Sequence, residues 1–316
     1  MAGNKTAVVA LGGNAITVPG QEDTIANQFA NTRRSLGGIV ELARRGFNLV
    51  VSHGNGPQVG NALLRIELAR GKAPILPLGV LVADTEGGMG YMIEQSLQNR
   101  LRAEKIDRAV VTIITQMIVD ENDPAIENPT KFIGQFYSEA EVADFTQSRG
   151  WQMKKDGSRG WRRVVPSPIP LKAVAAPTIR QLVTRGVIVI ACGGGGIPVY
   201  IDRDGNYEGI DAVIDKDLGS AVIAGEIGAD ILSILTSVDK VAINFGQPNQ
   251  TDLDTVTVSQ IKRYYDEGHF PPGSMGPKIL AATRFLEGGG KMVIITSFAN
   301  AGKALDGAVG TRIVPD

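Results

Sequence analysis

Three glycine clusters and three lysines are the residues of this chain whose types and spacing could do chemistry. Gly12-Gly13-Asn14, Gly54-Asn55-Gly56 and Gly193 to Gly196 each follow a short apolar run. A backbone without Cβ atoms can bring its N–H groups close to an anion. A helix start just beyond adds unpaired N–H groups and the positive end of the helix dipole. One such loop is better explained as a tight chain reversal that needs glycine. Three on one sheet edge would make a concave surface of donors suited to phosphate. Lys216, in Ile214-Asp215-Lys216-Asp217, and Lys278, in Gly273-Ser274-Met275-Gly276-Pro277-Lys278, sit where helices are expected to begin. A cation there opposes the dipole, so each side chain is either a solvated surface group or one held for an anion. Asp217 either orients Lys216 or is an ordinary N-terminal acid. Lys131, in Asn128-Pro129-Thr130-Lys131, is the third candidate. Phosphoryl transfer needs such cations, because negative charge spreads over the oxygens of the moving group.

The elements that must position these residues follow a strand, glycine turn, helix rhythm. Thr6 to Leu11, Phe47 to Ser52, Ala109 to Thr115, Val187 to Ala191, Asp230 to Leu235, Val241 to Phe245 and Lys291 to Thr296 read as strands, being short, apolar and rich in β-branched residues. Asp23 to Arg45, a segment starting at Pro57, Ala83 to Glu104, Ala176 to Arg185, Lys216 to Gly228 and Ser274 to Leu286 read as helices. Tyr200 to Tyr207, with Asp204-Gly205 inside, predicts a hairpin with a type I′ turn. Strands alternating with helices predict an α/β fold whose mainly parallel sheet is covered on both faces. All three glycine clusters then fall at the carboxyl edge, where ligands bind. The rhythm breaks over residues 116–170, which hold five prolines, both tryptophans and a basic cluster from Arg149 to Arg163. That stretch is expected to be an inserted subdomain or lid within a single domain spanning the chain.

Composition removes several classes. Lys and Arg number 32 against 33 Asp and Glu, a net charge of −1, so no global field draws the chain to nucleic acid or a membrane surface. Met1 to Thr6 leads straight into a strand-like run with no apolar signal segment, and the single cysteine, Cys192, cannot form an internal disulfide. Both fit a cytoplasmic enzyme. With two histidines and one cysteine there is no ligand set for a Cys/His zinc site, and no protein metal ligands are expected. The P-loop, the dinucleotide fingerprint and the protein-kinase motif set are all missing. Cys192 ends an apolar strand and reads as buried and inert. His53 reads as hydrogen-bonded within its own loop, with a proton-transfer role as the alternative.

Seven ordered motifs carry a resemblance. They are Val8-Val9-Ala10-Leu11-Gly12-Gly13-Asn14-Ala15, Val51 to Asn61, Asn128 to Lys131, Gly160 to Pro168, Cys192 to Pro198, Ala212 to Asp217 and Gly273 to Lys278. Together they resemble the carbamate kinases of the amino-acid-kinase superfamily over essentially the whole chain. The resemblance implies an αβα sandwich, a protruding subdomain from the central insertion, and a homodimer. It also implies reversible transfer between ATP and carbamate to give ADP and carbamoyl phosphate, with Mg²⁺ held mainly by the phosphates. By resemblance, Gly12, Gly13, Asn14, Gly54, Asn55 and Gly56 line the pocket for carbamate and the transferred phosphoryl group. Lys131, Lys216 and Lys278 neutralise that group, and Asp217 positions lysines. Gly193, Gly194, Ser237, Val238, Asp239, Phe245 and Met275 hold the nucleotide. Related acyl-phosphate kinases carry a lysine in the first strand where this chain has Ala10. Lys131 is the candidate for the missing charge.

Overall fold

Eight strands form the central sheet of the computed structural model, which describes residues 4–18, 20–157 and 159–316. They are β1 (Thr6–Leu11), β2 (Asn48–His53), β3 (Val110–Ile113), β4 (Ile188–Ala191), β5 (Ile231–Thr236), β6 (Thr255–Thr257), β7 (Met292–Ser297) and β8 (Thr311–Val314). Their order across the sheet is β6-β8-β7-β5-β1-β2-β4-β3. Every pairing is parallel except that of β7 with β8. β1, β2 and β4 are buried along their whole length, which is why they read as unbroken apolar runs rather than alternating ones.

The two faces of β1 nevertheless part by the two-residue period of a strand. Val8 and Ala10 join a core with the helices Ala176–Thr184, Lys216–Glu226, Val258–Asp266 and Met275–Glu287. Ala7, Val9 and Leu11 join another with Gly37–Arg44 and Leu78–Ala103. This is the expected α/β sandwich. A third core ties Ile133, Tyr137, Phe145, Trp151 and Val165 to helices Gly56–Leu68 and Leu78–Ala103. Phe145 and Trp151 are stacked with ring centroids 5.1 Å apart.

The segment that interrupts the rhythm has regular structure of its own. Gln116–Val119 and Pro170–Ala173 pair antiparallel and belong to a four-stranded sheet with Ile197–Ile201 and Tyr207–Gly209. Between them, Lys131–Tyr137, Gln152–Lys155 and Trp161–Val165 form a three-stranded antiparallel sheet, with helix Glu139–Arg149 connecting the first two in sequence. Gly60 in helix Gly56–Leu68 touches this unit closely, since a Cβ there would stand 2.9 Å from the Gly134 Cα. The Arg149 guanidinium reaches the Glu67 carboxylate of the same helix at 2.8 Å.

Three local expectations need correction. The segment from Asp23 to Arg45 is two helices, Ile25–Ser35 and Gly37–Arg44. The second packs so close to Ala301 that Gly38 has no room for a Cβ. The turn between Ile201 and Tyr207 spans five residues rather than two. There the Asp202 carboxylate accepts from the amides of Asp204 and Asn206 at 2.9 and 2.8 Å, so a side chain organises the turn. Val241 to Phe245 yields only the short strand Ala242–Ile243, paired with Thr251–Asp252 outside the main sheet. Helix Val258–Asp266 and strands β6 and β8 lay outside the sequence reading. Among the described residues no helix is long and apolar enough to cross a membrane.

Candidate active site

Because β1, β2, β4 and β5 are parallel neighbours, their carboxyl ends share one edge. The three glycine clusters leave from β1, β2 and β4 at that edge, and Ser237 and Val238 leave from β5. Over it lies a cleft of 240 Å³ lined by Gly13, Gly54, Asn55, Gly56 and Gly194, together with Lys131, Lys216, Asp217 and Lys278. A second cavity of 260 Å³ is lined by Ser237, Val238, Phe245 and Met275 and shares Ser274 and Lys278 with the first. Lys278 therefore stands at the junction of the two spaces.

The lysines converge on two carboxylates. Asp217, buried in the first turn of helix Lys216–Glu226, accepts from Lys216 Nζ on Oδ1 and from Lys278 Nζ at 3.1 Å on Oδ2. Lys278 Nζ also donates to the Ser274 carbonyl at 3.2 Å. Asp215 caps the same helix, its Oδ1 accepting from the Asp217 amide at 2.9 Å. Its other oxygen receives Lys131 Nζ at 2.8 Å. Asp215 was missed in the sequence reading. An acid one position before a helix-start lysine is an N-cap signature and could have revealed it.

The electrostatics are those of a site waiting for an anion. Burial lowers the Lys216 ammonium below the usual lysine range, and Lys278 adds to this while Asp217 and Asp215 oppose it. Burial pushes the Asp215 carboxyl up, but Lys131, Lys216 and the Asp217 amide outweigh it and hold the group down to about 2. Three ammoniums against two carboxylates leave one uncompensated positive charge in a largely buried cleft. A buried ion network is weak evidence for stability and better explained by what it binds.

The glycine loops contribute unequally. The Gly12 amide donates to the Leu235 carbonyl at 3.0 Å, and the Gly54 amide to Leu11 at 2.9 Å, so both extend the parallel ladder instead of facing a ligand. Among the described residues, the amides of Gly13, Asn55 and Gly194 have no backbone acceptor. Gly56 opens a helix, where its N–H has no intrahelical partner. The expected donor set thus loses Gly12 and Gly54. The Asn55 side chain is turned away, donating to Thr85 Oγ1 at 2.9 Å. The Asn14 backbone lies in the turn after β1, and its side chain lies outside the described residues.

Two nucleotide-site candidates fall elsewhere. Asp239 accepts from Asn300 Nδ2 at 2.8 Å and does not line the second cavity. Gly193 lies beneath the cleft, where a Cβ would stand 2.5 Å from His53 Nε2. Phe245 is 65 % exposed at the rim of the second cavity, so one ring face is open to stack on a flat ligand. His53 is buried, its Nδ1 lying 3.3 Å from the Gly54 carbonyl, and burial lowers it to about 4. It is neutral at physiological pH. Cys192 is fully buried, and burial raises its thiol well above the usual range. No cluster of three His, Cys, Asp or Glu side chains able to hold a metal occurs among the described residues.

Comparison with known proteins identifies the family. The model of the Amino acid kinase family matches residues 5–297. Carbamate kinase of Pyrococcus horikoshii is 49 % identical, the alignment covering 98 % of each chain. The carbamate kinase-like protein YahI of Escherichia coli is 47 % identical, covering 97 % of this chain and 98 % of its own. The solved structure of carbamate kinase from Giardia lamblia bound to AMP-PNP superposes with a TM-score of 0.93 at 40 % identity, with both chains covered fully. A helix-capped lysine cluster at the carboxyl edge of this sheet, in a sequence matched end to end by such relatives, places the chain in the amino acid kinase family, among the carbamate kinases, as a kinase enzyme.

Proposed function

We propose that the enzyme transfers a phosphoryl group between ATP and carbamate, forming carbamoyl phosphate and ADP, and that the reaction runs in either direction. The observation carrying this reading is the convergence of Lys131, Lys216 and Lys278 on Asp215 and Asp217 in a cleft that opens into the Phe245 cavity. The adenosine occupies the cavity of Ser237, Val238, Phe245 and Met275. Its phosphates pass Lys278 into the cleft, and carbamate lies against the amides of Gly13, Asn55 and Gly56. A carbamate oxygen attacks the γ-phosphorus as the bond to the ADP oxygen breaks. Carbamate is already an anion, so no strong base is required, in keeping with a neutral, buried His53.

Catalysis is then positioning and charge. The lysines and the remaining amides meet the charge spread over the phosphoryl oxygens. Asp217 keeps Lys216 and Lys278 at fixed separation, and Asp215 holds Lys131, which arrives from the β-unit of residues 131–165. That unit, within the insertion of residues 116–170, acts as the lid. Both cleft carboxylates are engaged by lysines, so the chemistry fits a Mg²⁺ ion carried on the nucleotide phosphates, where it supplies charge neutralisation.

The second reading is a kinase for another small carboxylate on the same fold. ATP formation from ADP and carbamoyl phosphate, measured beside acetyl phosphate and other acyl phosphates, separates the two. Activity confined to carbamoyl phosphate supports the first reading, and a preference for another donor overturns it. A cytoplasmic location is proposed from the lone Cys192, which fits a fold that does not rest on disulfides. A homodimer is proposed through the 390 Å³ groove between helices Ile25–Ser35, Gly56–Leu68 and Leu78–Ala103, where Ile25 and Tyr91 are exposed.

A further inference from the structure

Beneath the cleft, one buried carboxyl group has no counter-charge. Glu86 projects from helix Leu78–Ala103 and is 2 % exposed. Its Oε2 accepts from the Thr115 amide at 2.8 Å, while Oε1 is buried with no hydrogen-bond partner among the described residues. The Gly193 amide lies near the carboxyl without completing a hydrogen bond to Oε1. Thr115 in turn clamps both ends of the third glycine loop. Its hydroxyl accepts from the Cys192 amide at 3.0 Å, and its carbonyl accepts from the Ile197 amide at 2.8 Å. Inside the loop, the site a Gly193 Cβ would take lies 3.0 Å from Glu86 Cγ and 2.5 Å from His53 Nε2. Glu86 and His53 thus fill the space a side chain on Gly193 would need, and the next residue, Gly194, lines the cleft.

We propose that Glu86 is a positioning residue for this loop: held as the neutral acid, it fixes Thr115 and, through Thr115, the Gly194 amide that faces the transferring phosphoryl group. An ionised carboxylate with one bare buried oxygen would be costly, whereas the neutral acid places its proton on that oxygen. Burial raises the group to about 8, against the pull of the Thr115 and Gly193 amides. The titratable groups around it are His53 from β2, held down to about 4 by burial, and Cys192 after β4, held up by burial. Lys216, from helix Lys216–Glu226, faces His53.

The proposal rests on the cleft reading above, so its test includes a measurement that needs no substrate. Between about 4.5 and 8 the native protein keeps a proton on Glu86 that the unfolded chain has lost, so stability falls as pH rises through that window. His53 opposes this slope only between about 4 and 6.5. Thermal melting of wild type and Glu86→Gln is compared from pH 5 to 9, with kcat and KM measured on both and on Glu86→Ala. The expected results are equal melting temperatures near pH 5, a higher one for Glu86→Gln at pH 9, and kcat within about twofold of wild type at pH 7 for Glu86→Gln. Glu86→Ala is expected to lose at least about tenfold in kcat, comparable to misplacing one preorganised donor. Parallel melting curves for wild type and Glu86→Gln across the range would overturn the neutral acid. Full turnover in a folded Glu86→Ala would overturn the positioning role, and if that variant does not fold, a kcat of Glu86→Gln far below wild type does the same.

Discussion

At the scale of single residues, the cleft holds each of its three lysines on a carboxylate. Lys216 and Lys278 share Asp217, and Lys131 leans on Asp215. Lys216→Ala and Lys278→Ala are each expected to lower kcat by about 10²–10³-fold, the scale of removing one preorganised donor. Lys131→Ala is expected to lose about as much with the fold intact; initial rates with ADP and carbamoyl phosphate check all three, and near-wild-type turnover would remove that lysine from the mechanism. The helix-start lysines were legible in the sequence because a cation in a first turn opposes the dipole. Lys131 gained its role only through resemblance, since nothing local marks a lysine that acts from another sheet. The fate of each glycine amide was not legible. Whether Gly12 donates to a ligand or to Leu235 depends on a strand more than two hundred residues away.

At the scale of elements, the β-unit of residues 131–165 is fastened to helix Gly56–Leu68, whose own N-terminus lines the cleft. The fastening has an apolar part, in Ile133, Tyr137 and Val165 against Val59 and Leu63, and an ionic part, Arg149 with Glu67. Its closest point is Gly60 against Gly134. Gly60→Ala would push backbone against backbone, and the strand that begins with Lys131 would have to give way. Lower kcat with a melting temperature reduced by only a few degrees is the expected outcome, about 1 kcal/mol or more of overpacking strain. Unchanged turnover would show that Lys131 tolerates displacement of its strand. The main strands were legible because full burial leaves continuous apolar runs. The break at Leu36 was not, because helical periodicity continues across it. The five-residue turn after Ile201 was misread because Asp204-Gly205 matches a two-residue signal, while Asp202 does the organising.

At the scale of the whole molecule, the two cavities at the carboxyl edge of the sheet are joined at Lys278. Both carboxylates of the cleft are paired with lysines, so chelation of Mg²⁺ is expected to stop turnover while leaving the melting temperature of the nucleotide-free enzyme unchanged. A lower melting temperature on adding EDTA would instead reveal a resident structural ion. Sedimentation velocity is expected to show a dimer, and Tyr91→Glu, which puts a charge on the apolar groove, to shift it toward monomer. A native chain that sediments as a monomer would rule the groove out as an interface.

The position of β1 has a consequence for how the enzyme is made. It pairs on one side with β2, about forty residues on, and on the other with β5, whose first partner is Ile231. A chain emerging from the ribosome therefore displays one unpaired edge of β1 until more than two thirds of the polypeptide has been synthesised. Only then can Gly12 find the Leu235 carbonyl and the first glycine turn take its final form. Closure of the cleft is consequently a late event of biosynthesis, and nascent chains halted before residue 231 carry a strand edge open to pairing with a neighbour.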